Sequence, residues 1–92
     1  MTFYVLVATA VYDQGVVGVY ATEQLARDAA ESIYLKTDGH HGFRIDVVEL
    51  DRTYKKVFPY SFMPGMDEDQ IAKRRRERPV NIELNPKGAP DV

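Results

Sequence analysis

Across the stretch Val16-Val17-Gly18-Val19-Tyr20-Ala21-Thr22-Glu23-Gln24-Leu25-Ala26-Arg27-Asp28-Ala29-Ala30 the hydrophobic period changes in the middle. Before Thr22 the residues are β-branched and extended in character. After it, apolar positions recur with helical spacing. A strand that feeds directly into a helix, with another apolar run upstream, constrains the first half of the chain to a β-hairpin followed by a helix. Thr22 suits the N-cap, and Glu23 sits in the first turn, where the helix dipole favours an acid. Leu25, Ala26, Ala29, Ala30, Ile33 and Tyr34 form one apolar face. Glu23, Arg27 and Glu31 repeat at i, i+4 on another and can pair. Gly39 is available for the left-handed residue that ends the helix.

Upstream, residues 2–12 read as the first strand. Phe3, Val5, Val7 and Val11 share one face; Tyr4, Leu6, Ala8, Ala10 and Tyr12 share the other. Two apolar faces indicate an interior strand. Asp13, Gln14 and Gly15 make the connection, with Gly15 suited to a left-handed turn position. Gly18 would weaken the returning strand unless a neighbour, such as an aromatic ring, needs its space.

Phe43, Ile45 and Val47 alternate with Arg44, Asp46 and Val48, a strand with one drier and one wetter face. Asp51-Arg52-Thr53 turns the chain. Residues 54–58 are expected to form the fourth strand, with Lys55 and Lys56 on its outer side. Residues 59–65 read as a loop punctuated by Pro59, Pro64 and Gly65. Residues 67–78 form a short helix with acids first and bases last, matching the macrodipole at both ends. Ile71 and Ala72 are its sole apolar residues, and Pro79 stops it. Val80, Ile82 and Leu84 alternate with polar residues, as an extended segment does. Residues 85–92 are a polar tail.

The expected fold is α+β: a ββαββ antiparallel sheet in the order 2-1-3-4, with the main helix on one face, a short second helix and an extended C-terminal segment. A right-handed crossover over the first strand gives that order. Residues 1–66 make the core; residues 67–92 supply the second helix and tail of the same single domain. At 92 residues one domain is expected, with a thin core. One sheet face is left for the C-terminal segment or a second subunit to cover.

Composition narrows the chemistry. The net charge of −2 gives no support for nucleic-acid binding by overall basicity. The absence of cysteine excludes disulfides, thiolate zinc sites and a cysteine nucleophile. It fits a cytoplasmic protein. Residues 3–10 are apolar and end in Ala8-Thr9-Ala10, but they lack a basic start and are too short for a signal peptide, so they read as a strand. No run approaches the roughly 18 residues of a membrane span.

The first half resembles a group of small uncharacterised proteins of bacteria and their phages, actinobacterial phages above all. The likeness lies in the aromatic–aliphatic first strand, in Gly18-Val19-Tyr20-Ala21-Thr22-Glu23-Gln24-Leu25-Ala26, and in Ile45-Asp46-Val47-Val48-Glu49-Leu50-Asp51. It covers residues 3–51. It implies a small fold encoded by a phage or carried on mobile DNA, and it transfers no catalytic residue. The C-terminal third lies outside it.

Candidate sites are few. His40 and His41 are the sole histidines. Adjacent residues of an extended segment point apart, whereas a metal needs about three converging ligands. No nucleophile has a base at a recognisable spacing, and the glycines form no phosphate-binding fingerprint. No metal, cofactor or enzymatic activity is therefore expected. Lys73, Arg74, Arg75, Arg76 and Arg78, with Lys55 and Lys56, could contact phosphates. However, four consecutive bases spread around a helix instead of forming a stripe, and acids at its start repel phosphate. Tyr60, Phe62, Met63 and Met66 make an apolar connector that either marks a contact surface or folds back over the sheet. With Val80, Ile82 and Leu84 they form the candidate protein interface. The first expectation is a non-enzymatic phage-type accessory protein that binds another protein or itself as a homodimer or higher oligomer. The alternative is a nucleic-acid-binding accessory protein using the lysines and arginines.

Overall fold

The change of period at Thr22 is a strand–helix junction. In the computed structural model, which describes residues 1–9, 14–36 and 42–84, strand β1 spans Thr2–Thr9 and β2 spans Gln14–Tyr20. Helix α1 follows at Glu23–Lys36. Thr22 caps it: its Oγ1 accepts from the Leu25 amide at 3.2 Å, and its carbonyl accepts from the Ala26 amide at 3.3 Å. Strand β3 is Phe43–Glu49, β4 Tyr54–Lys56 and β5 Tyr60–Phe62. Helix α2 is Glu68–Glu77 and β6 is Ile82–Glu83. Asp13, Gly39, His40, His41 and the 85–92 tail lie outside the described residues, as do residues 10–12 of the expected first strand.

The fold is α+β, with a four-stranded antiparallel sheet in the order β2-β1-β3-β5. β1 is interior, as its two apolar faces require. Two details differ from expectation. The strand beside β3 is not 54–58 but Tyr60–Phe62, inside the stretch read as a loop. Tyr54–Lys56 instead joins Ile82–Glu83 in a separate two-stranded sheet. Burial explains the choice. Tyr60 and Phe62 bring two large apolar side chains under the helices, whereas Lys55 and Lys56 have none to bury.

Leu6 lies level with Ile45 on one side and Gly18 on the other. Past that point β2 carries one extra residue, Val17, a bulge on an edge strand. A Cβ on Gly18 would stand 2.5 Å from the Tyr20 hydroxyl oxygen and 2.8–2.9 Å from its ring, which is the close approach that explains a glycine there. Gly15 is not a left-handed turn residue: it lies in β2 opposite Ala8. Positive φ occurs instead at Gly65, in the turn after Pro64, and at Asp51, between β3 and β4. Asp tolerates that region better than most side chains.

Both helices lie on one face of the sheet. Leu6, Ala8, Phe43, Ile45, Tyr60 and Phe62 from the strands pack with Ala26 and Ala30 of α1 and Ile71 of α2. Leu6 and Ile45 are fully buried. The two alanines are fully buried as well, which lets α1 approach the backbone of β1 closely. Leu25 falls outside the packed stripe and is half exposed. Ile71 alone docks the middle of α2, and Asp67 holds its start. The Asp67 carboxylate accepts from the Gln70 amide at 2.8 Å, and the Gln70 side chain accepts from the Asp67 amide at 3.1 Å. This reciprocal capping box satisfies two donors at the helix start.

Candidate functional site

Side chains alternate along a strand, so the residues between the core positions form the other sheet face. On β1 these are Phe3, Val5 and Val7. Register places Val19 and Val16 of β2 beside Val5 and Val7, and Val48, Asp46 and Arg44 of β3 beside Phe3, Val5 and Val7. Among the described residues no helix packs on this face. Val16 and Val19 are 65% and 59% exposed, while Phe3, Val5 and Val48 are half-buried and Val7 is buried. The face is thus apolar across three strands, and its two charged residues, Arg44 and Asp46, stand two positions apart on β3.

On this face Asp46 is the anomaly: its Oδ1 is buried with no hydrogen-bond partner, as is Arg27 Nε on the helical side. Burial pushes the Asp46 carboxyl above the usual carboxylate range, and Arg44 and Arg78 offset this in part. An acid held this way favours any arrangement that supplies a donor.

The helical side carries a polar cluster that joins three elements. Glu23, with a side chain 12% exposed, accepts from the Tyr60 hydroxyl through Oε2 and from Arg75 Nη1 through Oε1 at 2.8 Å. Burial first, then the bond to Glu23, raise the Tyr60 hydroxyl pKa far above its usual value. Arg27 extends the cluster, donating to Glu68 Oε1 at 2.8 Å and to Gln24 Oε1 at 2.9 Å. Both Glu23 oxygens are engaged, so the cluster clamps α1, β5 and α2 together; it presents no free base.

The C-terminal segment is held along β3. Asn81 Nδ2 donates to the Val47 carbonyl at 2.7 Å. Asn81 Oδ1 accepts from the Phe58 amide at 3.0 Å and from Arg78 Nη1 at 2.9 Å. Arg78 also donates to the Phe58 carbonyl at 2.8 Å. The Tyr54 hydroxyl accepts from the Glu49 amide at 2.9 Å, and Arg52 pairs with Glu83 across β4 and β6. Between β3 and this segment lies an open groove of about 410 Å³ lined by Val47, Val48, Glu49, Tyr54, Arg78, Val80, Asn81 and Glu83.

The expected interface residues separate. Tyr60 and Phe62 are core residues, 3% and 4% exposed, which removes them from the surface. The connector therefore folds back, as a strand. Met66 packs against the core and its Sδ accepts from the Met63 amide at 3.3 Å, while Met63 is 39% exposed. Val80, Ile82 and Leu84 remain exposed, and Ile82–Glu83 pairs with β4 of its own chain.

The basic residues separate too. Arg75 is bound to Glu23, and Arg78 to the Phe58 carbonyl and Asn81. Lys73 and Arg74 border a second open groove together with Met66, Gln70 and Glu77, and Arg76 is exposed. Lys55 and Lys56 project from β4, with Lys56 Nζ 4.7 Å from the centre of the Phe58 ring.

One feature was accessible to sequence reasoning and passed over: Asp67 and Gln70 stand at capping-box spacing. The uncovered sheet face was expected, and the Phe3, Val5, Val7 alternation set beside Val16, Val19 and Val48 makes it more extensive than the connector. The Glu23–Tyr60–Arg75 cluster has no local signal, because its members are brought together by tertiary packing. Among the described residues no group of three His, Cys, Asp or Glu side chains could hold a metal ion, and no helix is long and apolar enough to cross a membrane. In comparisons with known proteins, the chain matches no family model, no curated protein and no solved structure.

Proposed function

We propose that this chain is a non-enzymatic protein-interaction module, an accessory protein of the phage type, and that it binds through the sheet face opposite its helices. One observation carries the reading: both helices pack on the same side, and the valine-rich face of β1, β2 and β3 faces away from them. Contiguous apolar surface of that kind is what association sites are made of. The phage origin is supported by the likeness of residues 3–51 alone, and the setting that follows from it is the host cytoplasm.

Nucleic-acid binding is the weaker reading. Two of the five basic residues around α2, Arg75 and Arg78, spend their hydrogen bonds inside the fold.

A face-directed substitution tests the proposal. Val19 is well exposed, so Val19→Lys should leave the circular dichroism spectrum unchanged. Association measured by sedimentation, and nuclease-resistant capture of a host protein, should both depend on Val19. If neither self-association nor capture is lost in Val19→Lys, the face is not the binding surface.

A further inference from the structure

On the reading of the sheet face opposite the helices as a binding surface, we infer that its occupant is a second copy of the chain, stacked face to face about a two-fold axis level with Leu6 and Ile45, so that Arg44 of each protomer meets the partner's Asp46.

Charge complementarity singles out this occupant. β3 sets one cation and one carboxylate on this face, two positions apart, with Ile45 between them and pointing the other way, and Arg78 approaches Asp46 from the C-terminal segment. A two-fold axis lying between the sheets and crossing the strands at Ile45 runs β3 antiparallel over its own copy. Arg44 then stands over the partner's Asp46, and Asp46 over the partner's Arg44. Both charges find partners from one symmetry operation, as an isologous interface requires. Asp46, which already has Arg44 and Arg78 of its own chain nearby, gains a further guanidinium counter-charge. An unrelated protein would need to present a base and an acid at the same separation within an apolar field.

The same axis satisfies the rest of the face. Leu6 lies level with Ile45, and Gly18 with Leu6. Val5 is therefore set over the partner's Val7, and Val19 over the partner's Val16. The central valines therefore meet valines, while Phe3 falls over the partner's Thr9 at the end of the face. Two sheets stacked in this way form an aligned sandwich with a valine-rich interior about 10 Å thick.

Four short strands about 4.8 Å apart, at roughly 3.3 Å per residue, present on the order of 400 Å² per copy in flat projection, the scale of a small interface.

Charge reversal tests the pairing. Wild-type protein should sediment as a dimer at micromolar concentration. Arg44→Asp and Asp46→Arg should each place like charges against each other and weaken self-association by roughly tenfold or more. Mixing the two single variants should restore a dimer, because each then supplies the charge that the other lacks; the double variant Arg44→Asp/Asp46→Arg should dimerise alone. Arg44 is exposed, so Arg44→Asp is the variant whose fold is least disturbed, and circular dichroism of each protein checks this. A monomeric wild type overturns the inference. So does a dimer indifferent to Arg44→Asp and Val19→Lys. If the wild type is monomeric yet captures a host protein that Val19→Lys does not, the second copy is wrong and the binding face stands.

Discussion

Tyr60 in β5 donates its hydroxyl hydrogen to Glu23 in the first turn of α1, 37 positions earlier in the chain. The bond ties the edge of the sheet to the helix that crosses it. Arg75 reaches the same carboxylate from α2, so one acid near the start of the chain fixes where the second helix docks. A helix with a single buried apolar residue, Ile71, needs such a tether.

Removing Arg75 should loosen α2, and removing the Tyr60 hydroxyl should loosen the contact of β5 with α1. Tyr60→Phe leaves one oxygen of a mostly buried carboxylate unpaired and should cost about 1–3 kcal/mol. Arg75→Gln, at a more exposed position, should cost less. The double variant should cost less than the sum of the two, since both act on one carboxylate. Urea denaturation of the three variants provides the cycle, and additive losses would mean that Glu23 is not shared.

Helix caps should be separable from the core. Thr22→Ala and Asp67→Ala should each cost about 1 kcal/mol, while Thr22→Ser should be nearly neutral. Thermal melts measure this. Equal losses for Thr22→Ala and Thr22→Ser would assign Thr22 to packing through its methyl group.

Asn81 joins β3, the Phe58 backbone and Arg78. Asn81→Ala should release the C-terminal segment while the four-stranded sheet persists. Amide exchange at Phe58 and across the β4–β6 pair should accelerate, with the amides of β1 still protected. Uniform acceleration throughout would show the segment to be part of the cooperative core.

Acid should act through Glu49. Thr2 Oγ1 donates to its Oε1 at 2.6 Å, and this bond is the leading cause of a carboxyl pKa below the usual 4.5. The folded chain therefore holds this proton less tightly than the unfolded chain. The stabilising contribution is complete above pH 4.5 and is lost as pH falls through the lower folded value. Glu49→Gln should be less stable than wild type at neutral pH, and the gap should close in acid. Unfolding midpoints from neutral to acid pH measure it; a gap independent of pH would remove the titration from the account.

For nucleic acid, the informative variant spares the two arginines used by the fold. Lys73→Gln/Arg74→Gln/Arg76→Gln should keep its stability, and neither it nor the wild type should bind oligonucleotides more tightly than about 100 micromolar at physiological salt. Fluorescence anisotropy with labelled single- and double-stranded oligonucleotides decides this. Low-micromolar wild-type binding that the triple variant loses would put phosphate recognition first.

Where pattern was long, the sequence was legible. The period change at Thr22, the two-sided apolarity of β1 and the ring over Gly18 could all be read from residues alone, and with them the α+β class. The place of β5 could not. Its three residues, Tyr60–Phe62, are too few to show a period, and the prolines on either side, Pro59 and Pro64, suggest a break. Tyr54–Lys56 looked like an edge strand and is one, but a lysine pair does not specify which edge it joins. The candidate site was half legible: the valines of the bare face stand in plain alternation, whereas Tyr60 and Phe62 looked like surface until the sheet claimed them.

The central position of β1 also sets an order of assembly. Its pairing with β2 closes a short loop and its pairing with β3 a long one that must first accommodate α1, so the hairpin and the capped helix are the local events and the arrival of β3 is the slow one. β5 has no strand to pair with until β3 is in place, and α2 docks on β5 and α1 together. Synthesis from the N-terminus delivers the elements in that same sequence, and a nascent chain stopped before residue 43 would hold a hairpin and a helix with half of a core between them.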